Sequence, residues 1–112
     1  MRILVCGHRR YSNMSRIRRL LEKHKATTVA HGGAPGADQC AERAALRLGL
    51  PVMEFPADWK SHGRAAGPIR NSLMLKIFKP DLVLAFPLRG SRGTWDMVNR
   101  AHLAGVPVEV IK

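Results

Sequence analysis

The sequence is poor in several features that would mark a particular kind of protein. It has two cysteines, Cys6 inside a predicted strand and Cys40 inside a predicted helix. That number in those settings argues against a disulfide framework and for two small core thiols. Aromatic side chains make up 5% of the chain: Tyr11, Trp59, Trp95 and three phenylalanines, of which Phe55 and Phe86 close predicted strands. So few leave little material for a stacking platform along a nucleic-acid strand. The longest apolar runs, such as "DLVLAFPL", are far too short to span a bilayer, and "MRILVCGHRR" lacks a secretory signal pattern. The expectation is a soluble, cytoplasmic protein with no membrane partner.

Acidic residues are scarce as well. Eight Asp and Glu stand against 19 Lys and Arg, a formal charge of +11, and a field of that sign attracts phosphates. Residues 1–25 hold eight of the basic residues and one acid, so the excess gathers on the first helix and the loop before it. Such a stretch is either a solvated basic face or a surface for an anionic ligand or polyanion. The five histidines, His8, His24, His31, His62 and His102, share no i, i+4 spacing, and no Cys-x-x-Cys accompanies them. No metal and no cofactor are expected. Nor does a G-x-S-x-G elbow support a serine triad.

What is present is a regular alternation. With 112 residues and 46% hydrophobic side chains, the chain suits one domain over 1–112 with one modest core. Short runs rich in Val, Ile and Leu alternate with helical periodicity, the signature of an α/β protein with a parallel sheet. Strands are predicted over 2–7, 26–31, 51–55, 81–86 and 107–111. The first helix is predicted over 12–24, capped by Ser12 or Asn13, with Met14, Ile17 and Leu21 on one face. The second spans 37–48, its Ala37, Cys40, Ala41 and Ala44 facing the sheet and Gly49 stopping it. The third begins near Pro68 with Ile69, Leu73 and Ile77 inward, which places Arg70 and Asn71 in its first turn. The fourth follows Gly93, buries Met97, Val98, Ala101 and Ala104, and ends at Gly105.

The loops are unequal. Returns from helix to strand are terse ("HKA", "GLP", "KP", "GVP"), whereas exits from strand to helix are long ("GHRRYSN", "GGAPGAD", "PADWKSHGRAAG", "PLRGSRGT"). In a parallel sheet all the exits share the rim at the carboxyl ends of the strands, where open α/β folds bind ligands. Gly32, Gly33 and Gly36 precede one helix and Gly90, Ser91, Arg92, Gly93 and Thr94 another. Both stretches suit backbone N–H groups presented to an anion at a helix N-terminus. The spacing is neither that of a dinucleotide fingerprint nor that of a P-loop. Arg70 opposes the macrodipole where it is predicted, so it is either an exposed side chain or a bidentate clamp for phosphate or carboxylate. Trp59 either stacks on a base or closes the core. His8 and His31 end strands on this rim, where they either meet a ligand or satisfy a loop carbonyl.

Taken together, "GHRRYS", "HGGAPGADQCAERAALRLGLPVMEFPADWKSHGRAAGPIRNSLML" and "PDLVLAFPLRGSRGTWDMVNRAHLAGVPV" resemble the YspA-like branch of the SLOG superfamily over nearly the whole chain. The resemblance implies a Rossmann-like three-layer α/β/α fold with a five-stranded, mostly parallel sheet. It also implies binding of nucleotides or nucleotide-derived ligands, cyclic or ADP-ribose-type signals included, commonly in homodimers or larger oligomers. Its branches differ in activity. LOG enzymes are phosphoribohydrolases that use an arginine and the glutamate of P-G-G-x-G-T-x-x-E. Here "PLRGSRGTWDM" keeps Gly93 and Thr94, puts Met97 in the glutamate's place and sets Asp96 one residue early, about 100° around a helix. Arg70 and Asp96 would be the catalytic pair only if Asp96 acts from that other direction rather than capping the helix. DprA proteins bind single-stranded DNA through a related domain, a second alternative. The leading expectation is a non-catalytic sensor or sequestering protein for a phosphorylated nucleotide-derived ligand. It would use Gly7, His8, Arg9, Gly32, Gly33, Gly36, Asp38, Trp59, Arg70, Asn71, Gly90, Ser91, Arg92, Gly93 and Thr94.

Overall fold

The computed structural model describes all residues, 1–112. Five strands, β1 (Arg2–Gly7), β2 (Thr28–His31), β3 (Val52–Glu54), β4 (Leu82–Phe86) and β5 (Val108–Val110), form one sheet in the order β3-β2-β1-β4-β5. Every pairing is parallel, so the expected "mostly parallel" sheet is wholly so. The helices are α1 (Met14–Lys23), α2 (Ala37–Arg47), the short α3 (Trp59–His62), α4 (Ala66–Phe78) and α5 (Arg92–Leu103). This is the Rossmann-like three-layer arrangement.

Alternation along the strands divides the core into two layers. Ile3, Val5, Val29, Leu82 and Leu84 pack with Ile17 and Leu21 of α1 and the alanines of α2. Leu4, Cys6, Val83 and Ala85 face Met74 and Phe78 of α4 and Met97 and Ala101 of α5. Full burial of an Ile or Leu side chain contributes about 1.5–3 kcal/mol, so these two layers supply most of the driving force. Cys6 and Cys40 belong to different layers, and both are free thiols. Small side chains at Ala37, Ala41 and Ala44, all fully buried, let α2 lie close to the sheet. Asn13 caps α1 by accepting the Arg16 N–H at 3.1 Å.

The third long helix departs from expectation. It starts at Ala66, so Pro68 lies within its first turn, where a missing N–H costs nothing, and Arg70 and Asn71 fall in the second turn. Its buried face is Ala66, Asn71, Met74 and Phe78, while Ile69, Leu73 and Ile77 are exposed. Apolar residues surround this helix on all sides, so periodicity does not mark the buried face. Ala104 is also exposed, because α5 ends at Leu103 just before it. No helix is long and apolar enough to cross a membrane.

Candidate functional site

The helices that follow β1 and β4 cover opposite faces of the sheet, so the chain changes direction between these adjacent strands. The crevice outside their carboxyl ends is a topological switch point. Gly7 ends β1 there against Phe86, and any side chain at Gly7 would meet the Phe86 carbonyl and Ala37. Above this contact lies a hollow of about 310 Å³, lined by Gly7, His8 and Arg9 from one side and Gly90–Thr94 from the other. Every lining residue is polar or glycine, and none is acidic.

The β4 side of the hollow is built for exposed amides. Gly90 turns the chain at φ +81°, and the Ser91 hydroxyl accepts the Leu88 N–H at 2.9 Å, which fixes the loop. Arg92 N–H donates to Gly90 O and Trp95 N–H to Ser91 O, leaving the Gly93 and Thr94 amides of the first turn of α5 without a protein acceptor. Unpaired amides at a helix start carry partial positive charge and favour an anion. Opposite them, His8 Nδ1 accepts the Arg10 N–H at 3.0 Å, which leaves Nε2 as the donor of the neutral ring. Arg9 and Arg92 make no salt bridge.

The loop at 32–36 is occupied differently. Gly36, at φ +82° and ψ −124°, packs against the His8 and Arg9 backbone, and the Ala37 N–H at the start of α2 donates to His8 O at 3.2 Å. Asp38 fills the same helix end from within. It is 5% exposed, one oxygen accepts the Ala34 N–H at 3.2 Å and the other, Oδ1, has no partner. Burial pushes the Asp38 carboxyl above its ordinary range, opposed by the Ala34 hydrogen bond, His31 and Arg70. Burial likewise raises the Cys6 thiol, with Asp38 adding and Arg70 opposing, so Cys6 is an inert core group.

Arg70 joins the loops. Its Nη1 donates to Gly32 O at 2.8 Å and Phe55 O at 3.3 Å, and its Nε donates to Asn71 Oδ1 at 3.0 Å. Asn71 passes the connection on, its Nδ2 donating to Gly93 O at 3.2 Å and to Asp96 Oδ2 at 2.9 Å. Arg100 Nε donates to the same Asp96 oxygen at 2.8 Å. One chain of contacts thus runs from the ends of β2 and β3 to the start of α5. Asp96 neither caps its helix nor stands free, and Met97 is fully buried in the α4–α5 layer.

Trp59 is 60% exposed on α3 and does not close the core. His31 Nδ1 accepts the Gly33 N–H at 2.9 Å, so its Nε2 carries the proton toward Glu42 Oε1 at 3.1 Å. Folding does gather one possible ligand set that sequence spacing did not reveal: His31, Glu42 and Glu54, with donor atoms within 4.8 Å of one another. A cation there would have to displace the Nε2 proton.

Sequence reasoning missed Arg10, Gln39 and Arg43, which line a second hollow beside Arg9. The i, i+4 spacing of Gln39 and Arg43, opposite the buried alanines of α2, is the signal that could have found two of them.

The buried Asp38 carboxylate carries a prediction. At low pH it is protonated in both folded and unfolded chains and costs nothing. As pH rises past the ordinary aspartate value the unfolded chain loses this proton first, so stability falls until the folded value is passed. Asp38→Asn keeps an acceptor for Ala34. Its stability relative to wild type is expected to be greater at about pH 7.5 than at about pH 4 in urea unfolding, and an advantage that shrinks with rising pH would contradict the assignment.

Comparison with known proteins adds three findings. Residues 1–62 match the family described as YspA, cpYpsA-related SLOG. The Gene 61 protein of Mycobacterium phage D29 is 38% identical over 117 aligned positions, which cover 96% of this chain and 93% of that protein. Among solved structures, DNA processing protein A (DprA) from Streptococcus pneumoniae superposes with a TM-score of 0.79 over 99% of this chain. This chain spans 50% of the DprA chain at 17% identity, so the likeness is one of fold. With the parallel sheet, the two glycine loops and these matches in hand, the chain belongs to the YspA, cpYpsA-related SLOG family.

Proposed function

We propose that this protein binds a phosphorylated nucleotide-derived ligand at the switch-point hollow and does not transform it. The observation that carries the reading is the hollow itself. Two unpaired guanidinium groups and two amides without acceptors face a space that no carboxylate lines. A phosphate completes those donors, and Arg9, Arg92, Gly93 and Thr94 supply them. Arg70 and Asn71 act as positioning residues that hold the two glycine loops in register. Gly32, Gly33 and Gly36 shape the neighbouring loop, and Trp59 offers an exposed ring for a base. A hydrolase of the LOG kind is less well supported, because Asp96 Oδ2 already accepts two hydrogen bonds and Met97 is in the core. A homo-oligomeric state, which the family resemblance implies, and a cytoplasmic setting belong to the same proposal.

Mass spectrometry of ligand released from the purified protein, run beside a nucleotide panel incubated with active protein, tests the reading. The expected result is an intact bound nucleotide and an unchanged panel. Arg92→Ala is expected to weaken the captured nucleotide about tenfold in calorimetry, as loss of one charge-assisted contact does. Conversion of any panel member to free base and ribose phosphate would overturn the non-catalytic reading.

A further inference from the structure

Arg9 lines two hollows. Beyond the switch-point hollow, it borders a second one of about 390 Å³ whose other cationic lining residues are Arg10 and, on α2, Arg43, with Gln39 one turn before it. This second space also lacks an acidic lining residue. None of Arg9, Arg10, Arg43 and Arg92 forms a salt bridge, although the chain does pair Arg18 with Glu22 and Arg100 with Asp96. Four uncompensated guanidinium groups around two neighbouring hollows that share Arg9 repel one another, and an anion in each relieves that repulsion. Each hollow alone is at the small end of ligand sites, and Arg9 lines both.

We infer that the Arg10–Arg43 hollow is a second phosphate subsite, so that the ligand class is a nucleotide compound carrying two phosphoryl groups set apart on its frame. This rests on the reading above for the first subsite. A single phosphate fills the switch-point hollow and leaves Arg10 and Arg43 unused. The adjacent phosphates of a nucleoside diphosphate both fall in one hollow, whereas a 5'-phosphorylated dinucleotide presents its second phosphate one nucleotide away. Arg9, shared by the two spaces, contacts both.

The test compares AMP, ADP and 5'-phosphorylated diadenylate by calorimetry at one salt concentration. The proteins are wild type, Arg10→Ala, Arg43→Ala and, as a charge control on the opposite layer, Lys76→Ala. The dinucleotide is expected to bind wild type about tenfold or more tighter than AMP or ADP. Arg10→Ala and Arg43→Ala are each expected to remove about five- to tenfold of the dinucleotide affinity while leaving AMP unchanged. Lys76→Ala is expected to alter neither. AMP binding with no dinucleotide advantage overturns the second subsite alone, as does ADP matching the dinucleotide. Equal weakening of AMP and dinucleotide by Arg43→Ala, or the same loss in Lys76→Ala, reduces the effect to general charge and overturns it too. If no nucleotide binds, the proposed function falls and this inference with it.

Discussion

Gly36→Ala is expected to lower the melting temperature by about 15–20 °C, far more than the same change at Gly49. Gly36 combines φ +82° with ψ −124°, outside the regions open to residues with a Cβ, and holding alanine there costs about 1–3 kcal/mol. The added methyl would also fall on the Arg9 and His8 carbonyls, which are backbone and cannot swing aside. Overpacking of that kind costs about 1–3 kcal/mol more. Relieving it by moving the loop breaks the hydrogen bond from Ala37 N–H to His8 O. The combined loss of about 3–5 kcal/mol corresponds to the stated shift for a domain of this size. Gly49 has φ +71° but open space around its Cβ position, so Gly49→Ala carries the backbone cost alone, about 1 kcal/mol. Circular-dichroism melts of the two variants decide the matter. Equal shifts would show that the β1 and β2 loops do not press on each other at Gly36.

The second large effect is expected at Arg70. Arg70→Ala should lose about 2–4 kcal/mol in urea unfolding, because the Gly32 and Phe55 carbonyls lose a partly buried charged donor and Asp38 loses a nearby countercharge. Nucleotide affinity should fall about tenfold or more in the same variant, since Asn71 and through it the first turn of α5 at Gly93 lose their support. Arg70→Lys should restore less than half of the stability, because one ammonium cannot reach two carbonyls and an amide oxygen in the fork geometry. A guanidinium serving only as a ligand clamp would give another pattern: affinity lost, urea midpoint unchanged. That outcome would replace the positioning role with direct contact.

Arg70 also shows where reading a sequence stops. Its place at a ligand-bearing rim follows from the loop lengths. Whether its donors face a phosphate or two carbonyls depends on where β2 and β3 end relative to α4, and no local pattern encodes that. The central strands β1 and β4 were legible because apolar runs buried on both faces are short, and β1 coincides with its predicted span, while the half-exposed edge strands β3 and β5 are shorter than expected. The face of α2 was legible because its alanines repeat against polar neighbours. The face of α4 was not, since Ile69, Leu73 and Ile77 compete with Met74 and Phe78, and the burial of Asn71 follows from Nδ2 partners 22 and 25 residues away. The glycines at 90 and 93 were visible in advance as residues before a helix; α5 starts at Arg92, so Gly93 belongs to its first turn, and the structure sets both beside Arg9 in one hollow. Arg10 and Arg43 went unnoticed because they come from different elements and meet only across a fold.

The central position of β1 has a consequence for synthesis. Of the five strands of this sheet, the first to leave the ribosome is the central one, and Ile3 has to wait for Leu82 on its second side. At ordinary elongation rates that interval is about 4–16 s, long against hairpin or helix formation. During it β1, β2 and β3 can assemble with α1 and α2, while the row Ile3 to Gly7 keeps an unpaired backbone edge and Leu4 and Cys6 lack their cover. The nascent chain is therefore most open to mispairing with other chains in the interval before β4 emerges.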